Sequence, residues 1–148
     1  HCVMAIAEGW GVTSATVEPG DGFAGSVLLA GPEVGDPARV VRTPEGDVEH
    51  LPDRRTAERL ALIKISGRVA QQLVRRGGPD WDGARADNEQ ILSLLEEEAG
   101  DPEELNRWYV YLERRAFNHL TTAAVWAGVV GVARALLARR RLSGDEVR

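Results

Sequence analysis

Residues 1–30 read HCVMAIAEGWGVTSATVEPGDGFAGSVLLA, and this stretch decides the fold class. The first nine residues read as the end of a helix. Val3, Met4, Ile6 and Ala7 supply apolar surface, and Gly9 is a stop signal, because glycine enters the left-handed C-cap conformation without a Cβ penalty. Val12 to Glu18 then predicts a short strand, with Ala15 and Val17 two apart on one face. Pro19-Gly20-Asp21-Gly22 is turn chemistry. Ser26 to Ala30 predicts a second short strand. A small sheet is therefore expected near the N-terminus.

Beyond it the pattern turns helical. Residues 31–55 are rich in Gly, Pro and Asp and read as a loop-rich segment. They hold at most one further strand, around Arg39 to Arg42, and a turn at Pro44-Glu45-Gly46-Asp47. A helix follows, with Thr56 as N-cap. Leu62, Ile65, Val69 and Leu73 recur three and four apart and form its apolar stripe. Gly77-Gly78-Pro79 ends it. The next helix is expected to begin near Gly83 or Ala84. Ile91, Leu94 and Leu95 are its stripe, and Asp87 lies one turn before Ile91 on the same face. Asp101 reads as an N-cap and Pro102 as a first helical residue. One long helical region is then predicted to about Arg139, its stripe running through Leu105, Trp108/Tyr109, Leu112, Ala116, Leu120, Ala123, Val130 and Leu137. A kink is expected at Gly128 or Gly131, and Arg140 to Arg148 read as a polar tail. The expectation is one domain over residues 1–148, mainly α with a small N-terminal β-sheet (α+β).

Several classes are excluded. Strands do not alternate with helices, which argues against a Rossmann-like sheet. Neither phosphate-binding glycine motif occurs. The net charge of −5 does not suit a nucleic-acid surface. Cys2 is the only cysteine, so an intrachain disulfide is impossible and any metal must be held by His and carboxylates. A reducing, intracellular setting is expected. Leu120 to Ala133 is uncharged but falls short of the ~18–20 apolar residues of a membrane span, and Arg134 interrupts it. The chain does not begin with Met and starts inside an apolar helix, as a fragment or a trimmed chain does.

The residues that could carry chemistry are few. The histidines are His1, His50 and His119. His119 reads as a boundary residue of the long helix, and His50 as solvated. Asp87, taken alone, reads as an acid near a helix start, where the macrodipole and free N–H groups favour it.

A resemblance changes that weighing. HCVMAIAEGWGVTSATVEPGDGFAG resembles the FtsH-type zinc metallopeptidase domain, entered in the middle of its H-E-x-x-H helix. His1 then corresponds to the second His, and Cys2 to the usual Ala. Gly11 to Pro19 corresponds to the strand ending in Pro, and Gly25 to the glycine before the next strand. Ile65-Ser66-Gly67-Arg68-Val69-Ala70-Gln71-Gln72-Leu73 resembles the family's A-G-R-x-A-E-E-L helix. Gly83-Ala84-Arg85-Ala86-Asp87 resembles its G-A-S-N-D segment, whose Asp is the third zinc ligand. Leu142-Ser143-Gly144-Asp145-Glu146 resembles its L-x-G-x-E ending. The departures are Gln71-Gln72 for the acidic pair, Arg85-Ala86 for Ser-Asn, and a poor match over Gly31–Pro52.

The resemblance implies a zincin-like helical metallopeptidase domain that hydrolyses unfolded or damaged proteins. His1 and Asp87 become zinc ligands. The first His and the general-base Glu are expected upstream of His1, so the 148-residue chain contains no catalytic residue and is expected to be inactive alone. Two imidazoles at i and i+4 reach one ion, and the Glu between them takes a proton from water that zinc has acidified toward ~7. Gly25, Ser26, Val27 and Leu28 become the edge strand to which a peptide adds by main-chain hydrogen bonds. Polypeptide substrates, an AAA+ ATPase domain in cis or trans, a homo-oligomer and a place in the cytoplasm or on the cytoplasmic face of a membrane are likewise implied. The alternative is a non-catalytic, peptidase-like helical module that binds peptides or protein partners. A plain helical interaction domain is the third reading.

Overall fold

The structure is a computed structural model that describes residues 1–19, 25–30, 39–42, 48–51, 53–75 and 81–148. In chain order the elements are α1 (Cys2–Ala7), β1 (Gly11–Thr16), β2 (Ser26–Ala30), β3 (Arg39–Arg42), β4 (Val48–Leu51), α2 (Arg54–Val74), α3 (Trp81–Glu96), α4 (Pro102–Leu120), α5 (Ala123–Arg139), β5 (Arg141–Ser143) and α6 (Gly144–Val147). The α+β expectation therefore holds, with helices dominant and a small antiparallel sheet.

The sheet is ordered β2-β1-β5, with β2 at one edge. Its first irregularity explains a difference from the sequence reading. Val12 pairs with Leu29, but Ser14 pairs with Leu28, so Thr13 is an extra residue on β1. The bulge puts Val12 and Ala15 both in the core, three apart, and leaves Val17 outside it. Strict alternation had paired Ala15 with Val17 instead.

The expected polar tail is also folded. Arg140 adopts a left-handed conformation at φ 64° and turns the chain back from α5. Its carbonyl accepts hydrogen bonds from the Val17 N–H at 2.9 Å and the Thr16 hydroxyl at 3.1 Å. Arg141–Ser143 then pairs with β1 and buries Leu142 completely. A Cβ at Gly144 would lie 1.9 Å from the Val12 carbonyl oxygen, so only glycine lets α6 pass this close. One buried Leu among polar residues is too little to show a period.

A second, two-stranded sheet pairs β3 with β4, where the sequence pointed to at most one strand. The connecting turn at Pro44–Asp47, the Pro19–Gly22 turn and the Gly77–Pro79 stop lie wholly or partly outside the described residues, as does the side chain of His50.

The core forms where α2 packs on α3 and α4. Leu62, Ile65 and Val69 of α2, Ile91 and Leu95 of α3, and Trp108, Leu112, Ala116 and Leu120 of α4 are buried. Leu73 ends the α2 stripe at 36% exposure. Asp53, not Thr56, caps α2: its carboxylate accepts the Thr56 N–H at 2.8 Å. Asp101 caps α4 as its sequence indicates, with Pro102 in the first turn.

The long helix breaks before either glycine. Thr121 and Thr122 stop α4 by placing their hydroxyls on the carbonyls of Phe117, at 2.9 Å, and His119, at 2.5 Å. These bonds satisfy acceptors that a helix end leaves free. The axes of α4 and α5 then differ by 84°. Past the corner the apolar face shifts to Val125, Trp126, Val129, Val132 and Leu136, while Leu137 is 80% exposed. No single helix among the described residues is long and apolar enough to cross a membrane.

Candidate metal centre and adjoining cleft

His1 is the N-cap of α1, and α1 lies across α2. The crossing is close because of Gly67. A Cβ built there would sit 2.1 Å from His1 Nε2 and 2.8 Å from both neighbouring ring carbons. Glycine inside a helix costs about 1 kcal/mol relative to alanine. Here that cost admits an imidazole onto the α2 backbone.

The same ring reaches α3. His1 Nε2 is 3.5 Å from Asp87 Oδ2 and 3.1 Å from the Lys64 carbonyl oxygen. A carbonyl only accepts, so this contact places a hydrogen on Nε2, and a metal on that nitrogen would displace it. Lys64 completes the group, with Nζ 3.6 Å from Asp87 Oδ1 and donating to Gln90 Oε1 at 2.5 Å. His1 and Asp87 are about one-third exposed, at 30% and 35% of their side chains, so the group opens to solvent.

Asp87 is not in the first turn of its helix. α3 begins at Trp81, which puts Asp87 in the second turn, beyond the reach of the terminal N–H groups. Its neighbour Asn88 accepts a hydrogen bond from the Tyr109 hydroxyl at 3.1 Å. The Arg68 guanidinium lies 5.3 Å from the centre of that ring and pairs with Glu113. Burial raises the tyrosine's pKa above its ordinary value, so it stays a neutral donor. Through these contacts α2 and α4 hold the segment of α3 that carries Asp87.

The donor set can be tested against zinc. Two ligand atoms about 2.1 Å from one ion at the tetrahedral angle lie about 3.4 Å apart. The His1–Asp87 separation matches one edge of such a tetrahedron. The pair therefore fits as two ligands of a larger set. Among the described residues no group of three His, Cys, Asp or Glu gathers around a common point. Cys2 is buried, and burial raises its thiol pKa, so it stays protonated beside the group. His119 lies in the last turn of α4 and lines a separate depression with Glu8, Glu58 and Arg115.

Beside His1 opens a cleft of about 310 Å³. Gly25, Ser26 and Val27 form one side of it, at the start of β2. Leu28, named with them from the sequence, is 59% exposed and does not line it. The opposite wall is Val129, Val132 and Leu136 of α5. Sequence reasoning missed these three, because it carried the α4 stripe straight through Thr121-Thr122. Their own spacing of three and four was the available signal.

No protein-family model matches this chain, and no curated protein matches it.

Proposed function

We propose that this chain is most of a zinc-dependent metallopeptidase domain of the zincin-like, FtsH-type kind, acting on polypeptides. The observation that carries the reading is the His1–Asp87 approach at 3.5 Å. It joins two residues selected by resemblance from two separate motifs of the sequence pattern. Gly67, drawn from a third motif of that pattern, supports it by making room for the ring.

Within the chain, His1 and Asp87 would hold the metal, and the Arg68–Tyr109–Asn88 contacts would keep α3 in place. Zinc, when bound, supplies Lewis acidity toward a peptide carbonyl and toward water. The edge of β2 would receive an extended peptide by main-chain hydrogen bonds, which suits substrates without a fixed sequence.

A protein extended upstream through the whole α1 helix should contain one zinc per chain by elemental analysis and cleave casein. Asp87→Asn should lose both properties. Absence of zinc from the extended protein, or full casein cleavage by the Asn variant, would sink the reading.

One observation favours the second reading, a non-catalytic peptide-binding module. Lys64 already places a cation 3.6 Å from Asp87, where a metal would otherwise balance its charge. That reading expects something other than H-E-x-x immediately upstream of His1. Sequencing the parent gene across that position separates the two.

A further inference from the structure

We infer that the depression between the end of α1, the start of α2 and the last turns of α4 binds a phosphate dianion, free or as a monoester. Its volume is about 640 Å³, the size of a small-molecule site. It shares no lining residue with the cleft beside His1, so it depends on neither the metal nor the peptide of the proposed function. Four guanidiniums line it, from Arg54, Arg55 and Arg59 of α2 and Arg115 of α4. His119, one turn beyond Arg115, and the carboxylates of Glu8 and Glu58 complete the wall.

The cations here outnumber their partners. Arg115 answers both lining carboxylates, Glu8 at 2.9 Å and Glu58 at 2.8 Å. Arg54 pairs with Glu104 at 3.2 Å and lies over the Trp108 ring. Arg55 and Arg59 then form no ion pair among the described residues. Two unmatched guanidiniums equal the double charge of one phosphate. Their placement is unfavourable without an anion. Arg55 and Arg59 lie four apart on one face of α2, where like charges repel. Arg54 and Arg55 occupy the first turn of α2, which holds no acidic residue, and the helix dipole disfavours cations there. A dianion relieves both. One guanidinium is also fixed in advance. Arg59 donates to the Glu8 carbonyl oxygen and lies over Gly9, where a Cβ would come 3.2 Å from Nη2. Its remaining N–H groups form a planar fork, which matches two oxygens of a phosphate.

The test is an NMR titration of the 148-residue chain with inorganic phosphate, with glycerol phosphate and with acetate, near neutral pH at constant ionic strength. A phosphate compound should shift the amides of Glu8, Arg55, Arg59 and His119 and bind at least tenfold more tightly than acetate. Tighter binding of glycerol phosphate marks a monoester site, and tighter binding of inorganic phosphate marks a free-ion site. Arg55→Ala, at an exposed position, should keep the fold and lower that affinity about tenfold, the loss of one charged hydrogen bond. Arg55→Lys should recover only part, because an ammonium keeps the charge without the fork. Arg107→Ala makes the same change of charge on α4 outside the lining and should leave affinity unchanged. Acetate binding as tightly as either phosphate compound, or no shift at these amides, would overturn the inference. So would equal losses in the Arg55 and Arg107 variants, or pairing of two chains through this face as protein concentration rises. None of these readouts involves zinc or casein, so failure here is distinguishable from failure of the peptidase reading.

Discussion

Gly67 links the sequence to the candidate site at the scale of single residues. In an exposed helix its replacement by alanine would stabilise by about 1 kcal/mol. Here the new methyl would collide with the His1 ring, 2.1 Å from Nε2. Gly67→Ala in the upstream-extended protein is therefore expected to keep its helical circular dichroism and lose zinc affinity. The loss should be about tenfold or more, as when a group that orients a ligand is removed. Competition against a chromophoric chelator measures it, and unchanged affinity would show that His1 does not need this approach. Asp87 illustrates the limit of residue-scale reading. Its face on α3 was legible from Ile91 and Leu95, but its partners were not. His1 and Lys64 reach it from two other helices, and no local pattern encodes such a meeting.

The elements differ in how much of themselves they announce. α4 was readable at its start because the cap is a local hydrogen bond, Asp101 Oδ1 accepting the Glu104 N–H at 2.8 Å. Glu104 returns the arrangement by accepting the Gly100 N–H, which holds its carboxyl below its ordinary pKa. Asp101→Ala should lower stability by about 1 kcal/mol in urea unfolding, with the slope unchanged. A change within error would mean that water replaces the cap. The far end of α4 was misread for an equally physical reason. Threonine hydroxyls on the preceding carbonyls occur both within helices and at their ends, so Thr121-Thr122 carries no unambiguous stop. The β1 bulge likewise depends on what β2 offers across the strand, not on β1 alone.

Across the whole molecule, the α1 end is fastened by charge. Arg115 of α4 donates to Glu8 at 2.9 Å and to Glu58 of α2 at 2.8 Å, joining three segments. The Glu8 side chain is only 8% exposed, whereas Arg115 is 29% exposed. Arg115→Met would leave Glu8 with its carboxylate buried and that bond gone. The expected cost is about 2 kcal/mol, between the near-zero value of an exposed pair and the 3–5 kcal/mol of a buried one. Chemical denaturation of the variant and of Glu8→Gln/Arg115→Met together checks it, since the double variant should recover part of the loss. No recovery would mean that packing of the arginine stem, not charge, fastens α1. Because α1 carries His1, the single variant should also loosen the His1–Asp87 approach.

What the sequence by itself determined were features with a short-range cause. These are the helix-rich class, the stripes of α2, α3 and α4, the Asp101 cap, and the two short strands at the N-terminus. Each follows from side-chain periodicity or a hydrogen bond within one turn. Tertiary structure alone decided the corner at Thr121-Thr122, the recruitment of Leu142 into β5, the wall that α5 gives the cleft, and the placing of His1 over Gly67 beside Asp87. These depend on surfaces that meet only when distant segments pack. A three-residue strand has no period to read, and a glycine's missing methyl acquires meaning only when another side chain fills the space.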